Sequence, residues 1–241
     1  MELRARNALV TGGAVRLGRA LALALARSGV NITIQYYASA REMETLRAQV
    51  HDLGVRFTAV RADLSQAEEV ECTFAAAQKA LGSIDILVNN AAIFLPGGWQ
   101  DSTVADWDRQ FAINLRAPFF LSQAFARGLS GRRGHIINIA DWRAERPGVG
   151  HMAYTYAKAG LVAMTRSLAL AMAPNVQVNA IAPGAVLPPS GQGDEYLDSL
   201  AGQIPLKRHG TPEDVAEAML YLLRSDFVSG ELLYVTGGQE L

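Results

Sequence analysis

The sequence predicts one α/β domain built on a doubly wound parallel sheet of seven strands, with helices on both faces. Three observations carry this prediction. Strand-like apolar runs alternate with helix-like segments along the whole chain, the signature of parallel βαβ units. A glycine-rich stretch, Thr11 to Gly18, falls between the first strand and the first helix. No linker, internal repeat or low-complexity tract divides the chain, so residues 1–241 are expected to form a single unit.

Asn7 to Thr11 is the first strand, and Leu17 to Arg27 the first helix, stopped by Gly29. The strand Asn31 to Gln35 leads to the helix Ala40 to Leu53, stopped by Gly54, and the strand Phe57 to Arg61 leads to the helix Gln66 to Leu81. Next come the strand Ile84 to Asn89, one continuous helix from Asp106 to Leu129, and the strand His135 to Ile139. A helix from Met152 to Met172 ends at Pro174 and is followed by the strand Gln177 to Ile181. Pro212 reads as a first-turn proline after Thr211, opening a helix to Leu223, and Leu232 to Val235 is the last strand. Residues 183–210 are rich in Pro and Gly, with a short helix-like piece near Tyr196 to Gln203, and are expected to serve as a substrate loop or lid.

Composition narrows the function. A chain of 241 residues, 50% of them hydrophobic, can bury the core of one substantial domain. The net charge of −1, without a block of like charge, gives no support to a nucleic-acid surface or a basic membrane patch, so the expected partner is a small molecule. The only cysteine is Cys72, and MELRARNALV runs into a strand without a charged-then-apolar leader, which together suggest a reducing, cytoplasmic setting. No apolar run reaches the roughly 18–20 residues of a bilayer span. No metal site is expected.

In the turn TGGAVRLG, glycines permit positive φ and close backbone approach, while the helix N-terminus offers N–H groups to a pyrophosphate. This reads as a dinucleotide turn. A free ribose hydroxyl is usually held by a carboxylate roughly 20 residues further on. Gln35, Tyr36, Tyr37, Ala38 and Ser39 contain none, which points to NADPH. Arg16 and Ser39 are expected to bind its 2′-phosphate, with Arg41 as a helper. Gly12, Leu17, Gly18 and Tyr37 join them. Asp63 and Leu64 are expected to flank the adenine; Asn89 and Ala91, with Asn90 and Ala92 beside them, to line the nicotinamide-side ribose; and Pro183 and Gly184 to complete the site.

Tyr154 and Lys158 stand four residues apart, on one face of a helix. An ammonium there is expected to favour phenolate and lower the tyrosine pKa, making the pair a proton donor for a reduction. Tyr156 is the rival phenol. It faces away from Tyr154, lacks a lysine four positions on, and reads as packing.

Taken together, TGGAVRLG, ADL at Ala62 to Leu64, NNAA at Asn89 to Ala92, Asn114 in FAINL, YTYAK, APG at Ala182 to Gly184 and TGG at Thr236 to Gly238 resemble the short-chain dehydrogenase/reductase family over nearly the whole chain. The resemblance implies a single-domain Rossmann fold and a catalytic set of Asn114, Tyr154 and Lys158. In this set the tyrosine donates the proton, the lysine lowers its pKa and binds the ribose, and the asparagine supports a relay water. It also implies a homotetramer assembled on the two long helices.

Three positions depart from the common pattern: Arg16 and Ala92 replace glycines, and Asp141, thirteen residues before Tyr154, replaces a serine. A carboxylate there would repel the negative charge that develops on a ketone oxygen. Either Asp141 is kept protonated by burial, or the substrate presents N–H groups. The second option, with Arg16 in the turn, resembles the pteridine reductase branch, in which a phenylalanine stacks on the pterin; Phe94 stands in the matching place. That branch implies reduction of dihydropterin or dihydrofolate, with Tyr154 and Asp141 handling protons. Leu187, in VLPPS at Val186 to Ser190, joins Phe94, Asp141 and Tyr154 as an expected substrate contact, and Trp142, His151 and Tyr196 as possible lining. The alternatives are a carbonyl reductase of ketoacyl thioesters or other ketones with a protonated Asp141, and a non-catalytic NADP-binding sensor.

Overall fold

A computed structural model of the chain describes residues 1–189 and 191–241; Ser190, the end of the expected lid motif, lies outside the described residues. Seven parallel strands form one sheet in the order β3-β2-β1-β4-β5-β6-β7. The strands are β1 (Asn7–Thr11), β2 (Asn31–Tyr36), β3 (Phe57–Arg61), β4 (Ile86–Asn89), β5 (Gly134–Ile139), β6 (Val176–Pro183) and β7 (Leu232–Val235). The helices are α1 (Arg16–Arg27), α2 (Ala40–Asp52), α3 (Ala67–Leu81), α4 (Val104–Phe111), α5 (Ala117–Leu129), α6 (Met152–Ala171), α7 (Asp194–Ala201) and α8 (Pro212–Arg224). The strand order reverses between β1 and β4, and the crevice at their carboxyl ends is where such sheets bind ligands.

Period-two alternation explains why the sheet is buried on both faces. Ala8, Val10, Ile86 and Val88 face one layer with Leu21 and Leu25 of α1, Met43 and Leu46 of α2 and Met219 and Leu222 of α8. Leu9 and Leu87 face the other, with Phe74 of α3, Leu121 and Phe125 of α5 and Leu161 of α6. No helix among the described residues is long and apolar enough to cross a membrane.

The expected continuous helix Asp106 to Leu129 is in fact two helices joined by a π-turn, Ala112–Arg116. Pro118 is the reason. It has no N–H for the carbonyl of Asn114 four residues back, so the ladder widens there and Ala117 N–H bonds the Ala112 carbonyl instead. The start moves earlier, to Val104, because Thr103 caps the helix by accepting from the Asp106 N–H at 3.1 Å.

The loop after β6 begins one residue later than expected, since Pro183 still belongs to the strand. Gly210 N–H bonds Ala185 O at 2.9 Å and Leu206 N–H bonds Gly237 O at 3.2 Å, while Leu197 and Ile204 are buried beneath the loop. At its far end, Thr211 and Asp214 form a reciprocal capping box on α8, with Arg208 paired to Asp214 at 2.8 Å.

Candidate active site and dinucleotide crevice

The turn after β1 is braced from β4. Thr11 Oγ1 accepts from the N–H groups of Asn90 and Ala91, each at 3.0 Å, and Asn90 Nδ2 donates to the carbonyls of Thr11 and Gly12 at 2.8 and 3.2 Å. Asn90 therefore holds the turn in shape with its side chain. Gly12 has φ +60°, and a Cβ on Gly18 would sit 2.2 Å from the Gly12 carbonyl oxygen, so neither position admits a larger residue without moving backbone. Val15, the N-cap of α1, makes no side-chain cap, which leaves the first-turn N–H groups for a pyrophosphate.

Several expected cofactor contacts are placed differently. Arg16, with φ +52°, sends Nη2 to the Pro188 carbonyl at 2.5 Å and so ties the turn to the loop after β6. Asn89 is buried, and its Nδ2 donates to Asn138 Oδ1 at 2.8 Å within the layer beneath the crevice, so it does not line the ribose. Leu64 is buried with the α3 core, and Asp63 accepts from the Ser65 N–H at 2.9 Å. Both sit just beyond β3, but the Leu64 side chain belongs to packing. Gln35 donates to Ala62 O at 2.7 Å and accepts from the Gly12 N–H at 3.0 Å; it is a neutral amide where a ribose-binding carboxylate would otherwise approach. Tyr37 and Ala92 are exposed, and Ser39 caps α2 without a side-chain bond, leaving its hydroxyl uncommitted there. Pro183 is buried in β6, and a Cβ on Gly184 would meet Thr236 Cα at 3.0 Å.

Tyr154 and Lys158, both on α6, come together with Asp141 from the turn after β5. Tyr154 lies in the first turn of α6, and its hydroxyl is 2.9 Å from Asp141 Oδ2. Asp141 caps the short turn Trp142–Ala144; its Oδ1 accepts from the Arg143 N–H at 2.8 Å and lies 3.7 Å from the Arg143 guanidinium. Lys158 is buried and donates to the Ile139 carbonyl at 2.5 Å, with Nζ 5.7 Å from the Tyr154 ring centre.

The expected lowering of the Tyr154 pKa is corrected: it is raised well above the usual phenol value, first by burial and then by the charge and hydrogen bond of Asp141. Burial also lowers Lys158 to about 8, against the opposing attraction of Asp141. The ammonium has three donors and a single hydrogen-bond partner among the described residues, which fits a group that brings hydroxyls, such as the ribose of a dinucleotide.

Asn114 lies in the π-turn and is buried. Its side-chain amide is engaged twice with Ile93, accepting from the N–H and donating to the carbonyl, each at 3.0 Å, so the amide fixes the loop after β4. That loop carries Phe94, which is 42% exposed. Phe94 stacks on His151 at 3.8 Å between ring centres and meets Tyr154 nearly edge-on at 4.7 Å. His151 Nδ1 donates to the Leu95 carbonyl at 2.9 Å, and Gln110 Oε1 accepts from the Leu95 N–H at 3.3 Å. Gln110 and Ile139 were missed in the sequence because their contacts are made across the fold. Pro118, four residues after Asn114, was the readable signal for the π-turn.

Trp142 is half-buried beneath the Arg143 guanidinium, 4.9 Å from its ring, and Leu187 and Tyr196 are half-buried in the segment after β6; no aromatic contact or hydrogen bond joins these three to Tyr154 among the described residues. Tyr156 is exposed and lies 5.9 Å from the Trp107 ring, facing α4 and away from the site.

This sheet, with a glycine-rich turn at its crevice and a buried Tyr–Lys pair joined to Asp141, defines a dinucleotide-dependent oxidoreductase. A family profile described as enoyl-(acyl carrier protein) reductase matches residues 13–240. The chain is 35% identical over 250 residues to the (2S)-[(R)-hydroxy(phenyl)methyl]succinyl-CoA dehydrogenase subunit BbsD of Thauera aromatica, covering 100% of this chain and 99% of that protein. It is 33% identical over 249 residues to the 3-oxoacyl-[acyl-carrier-protein] reductase FabG of Aquifex aeolicus, covering 99% and 98%. Among solved structures, FolM alternative dihydrofolate reductase 1 from Brucella suis, in complex with NADP, superposes with a TM-score of 0.94 at 32% identity, covering 100% of this chain and 96% of that one. The chain belongs to the short-chain dehydrogenase/reductase family, and its cofactor is NADPH.

Proposed function

We propose that this enzyme reduces a pterin-like ring, a dihydropterin or dihydrofolate. The observation that carries the reading is the 2.9 Å bond between the Tyr154 hydroxyl and Asp141, in the position of the family's serine. A serine donates to a developing oxyanion, whereas a carboxylate accepts from N–H groups and repels an oxyanion. The exposed face of Phe94 beside Tyr154 suits a flat, π-rich substrate.

NADPH, when bound, supplies hydride to the electrophilic carbon of a C=N bond. Lys158 binds its ribose hydroxyls and holds it in register with Tyr154. The raised pKa of Tyr154 keeps the phenol protonated at neutral pH, and the proton passes to the ring nitrogen as the carbon is reduced. Asp141 orients the phenol and accepts an N–H of the ring. Asn114 positions Phe94 through Ile93, and its main-chain carbonyl, deprived of an α-ladder donor by Pro118, is the atom we assign to the relay water.

Reduction of a thioester-linked ketone is the second reading, favoured by the likeness to FabG and BbsD. An assay of NADPH oxidation with dihydrobiopterin, dihydrofolate and a ketone panel separates them. Turnover of the pterins is expected; turnover of ketones alone, with pterins neither reacting nor inhibiting, overturns the first reading.

We further propose a homotetramer using the α4–α6 face, where a groove of about 730 Å³ is lined by Phe111, Leu115, Phe119, Phe120 and Met164. The exposed Trp107, Phe119, Phe120 and Tyr156 make an apolar patch suited to a second copy. The exposed, unpaired Cys72 is in keeping with a cytoplasmic location.

A further inference from the structure

We propose that Arg61, at the carboxyl end of β3, selects NADPH over NADH by holding the 2′-phosphate of the adenosine ribose. The proposal rests on the dinucleotide crevice and is independent of which substrate is reduced.

Arg61 pairs in register with Tyr36, the last residue of β2, and the end of that strand is where this fold recognises the 2′ position of the ribose. Two contacts aim its guanidinium there. Nε donates to the Tyr37 carbonyl at 3.2 Å, and Cζ lies 5.8 Å from the centre of the Tyr37 ring. Both Nη groups remain without a hydrogen-bond partner, and no carboxylate pairs with Arg61, among the described residues. A guanidinium held by Nε with two free Nη groups is the fork that binds a phosphate bidentately.

The surroundings favour the same ligand. Ser39 caps the thirteen-residue α2 with its hydroxyl uncommitted, and Ala38 puts no bulk between it and Tyr37. Of the two cations expected at the phosphate, Arg16 is directed elsewhere, donating to Pro188 O, and Arg41 in the first turn of α2 is the remaining competitor. NADH carries a neutral hydroxyl at this position and gains little from a cation there.

Isothermal titration of the full chain with 2′,5′-ADP, 5′-AMP, NADPH and NADH tests the assignment, on wild type and on Arg61→Gln, Arg61→Lys, Arg41→Gln and Arg16→Gln. Arg61→Gln should raise the Kd of NADPH and 2′,5′-ADP by about 10- to 100-fold, the range of a lost charge-assisted hydrogen-bond pair. It should leave NADH and 5′-AMP within about twofold. Arg61→Lys should recover part of the loss, because charge returns without the fork. The proposal is overturned if Arg61→Gln binds NADPH normally, if it weakens all four ligands equally, or if Arg16→Gln or Arg41→Gln alone abolishes the preference for 2′,5′-ADP. Failure of pterin turnover would remove the proposed substrate and leave these binding ratios untouched.

Discussion

The Tyr154 hydroxyl points at Asp141 Oδ2 from 2.9 Å, while the Lys158 ammonium turns to the Ile139 carbonyl. The aspartate therefore organises the phenol, and under the proposed function the lysine serves the cofactor. Replacing Tyr154 by Phe should lower kcat by about 10²–10⁴, the usual range for a general acid, with little change in NADPH affinity. Replacing Asp141 by Ser should shift preference from pterins toward ketones, because a hydroxyl can donate to an oxyanion. Steady-state kinetics with both substrate classes checks the pair, and an Asp141→Ser variant with unchanged preference would remove Asp141 from substrate selection.

Burial lowers the pKa of the Lys158 ammonium to about 8. Its charge is present below that pH, so NADPH affinity should fall as pH rises through about 8, and Lys158→Met should lose this dependence. Stability moves the other way. From about 8 to the ordinary lysine value of 10.5 the unfolded chain binds more protons than the native one, so Lys158 makes stability rise with pH across that window. Fluorescence titration of NADPH and urea unfolding from pH 7 to 9.5 read the two effects separately.

His135 on β5 is buried, its Nδ1 has no partner among the described residues, and burial lowers its pKa to about 4. Between that value and the ordinary 6.5 the unfolded chain takes up a proton that the native chain refuses, so His135 costs stability as pH falls from 6.5 to 4. His135→Leu should flatten the slope of unfolding free energy across this range. A slope equal to that of wild type would show that other groups set the acid limit.

The groove over α4 to α6 predicts a change of mass. Phe119→Glu combined with Phe120→Glu places two carboxylates on its rim and should convert the proposed homotetramer to smaller species in light scattering, since burying unpaired charge at an interface costs several kcal/mol. A wild-type chain that already runs as a monomer would refute the tetramer.

Much of the fold was legible because its signals are local. Apolar alternation set the strands, Gly29 and Gly54 closed two helices, and Thr211–Pro212 opened another, all close to their observed limits. The four-residue spacing of Tyr154 and Lys158, and Asp141 thirteen residues earlier, marked three side chains that the fold brings together as a candidate catalytic cluster. What spacing could not convey was direction. Only the packed chain decided that Asn114 binds Ile93, that Asn89 turns inward to Asn138, that Arg16 reaches Pro188, and that burial with Asp141 raises the Tyr154 pKa. Periodicity and turn chemistry act between neighbours in sequence, whereas desolvation and hydrogen-bond choice depend on which distant groups the fold brings within about 3 Å.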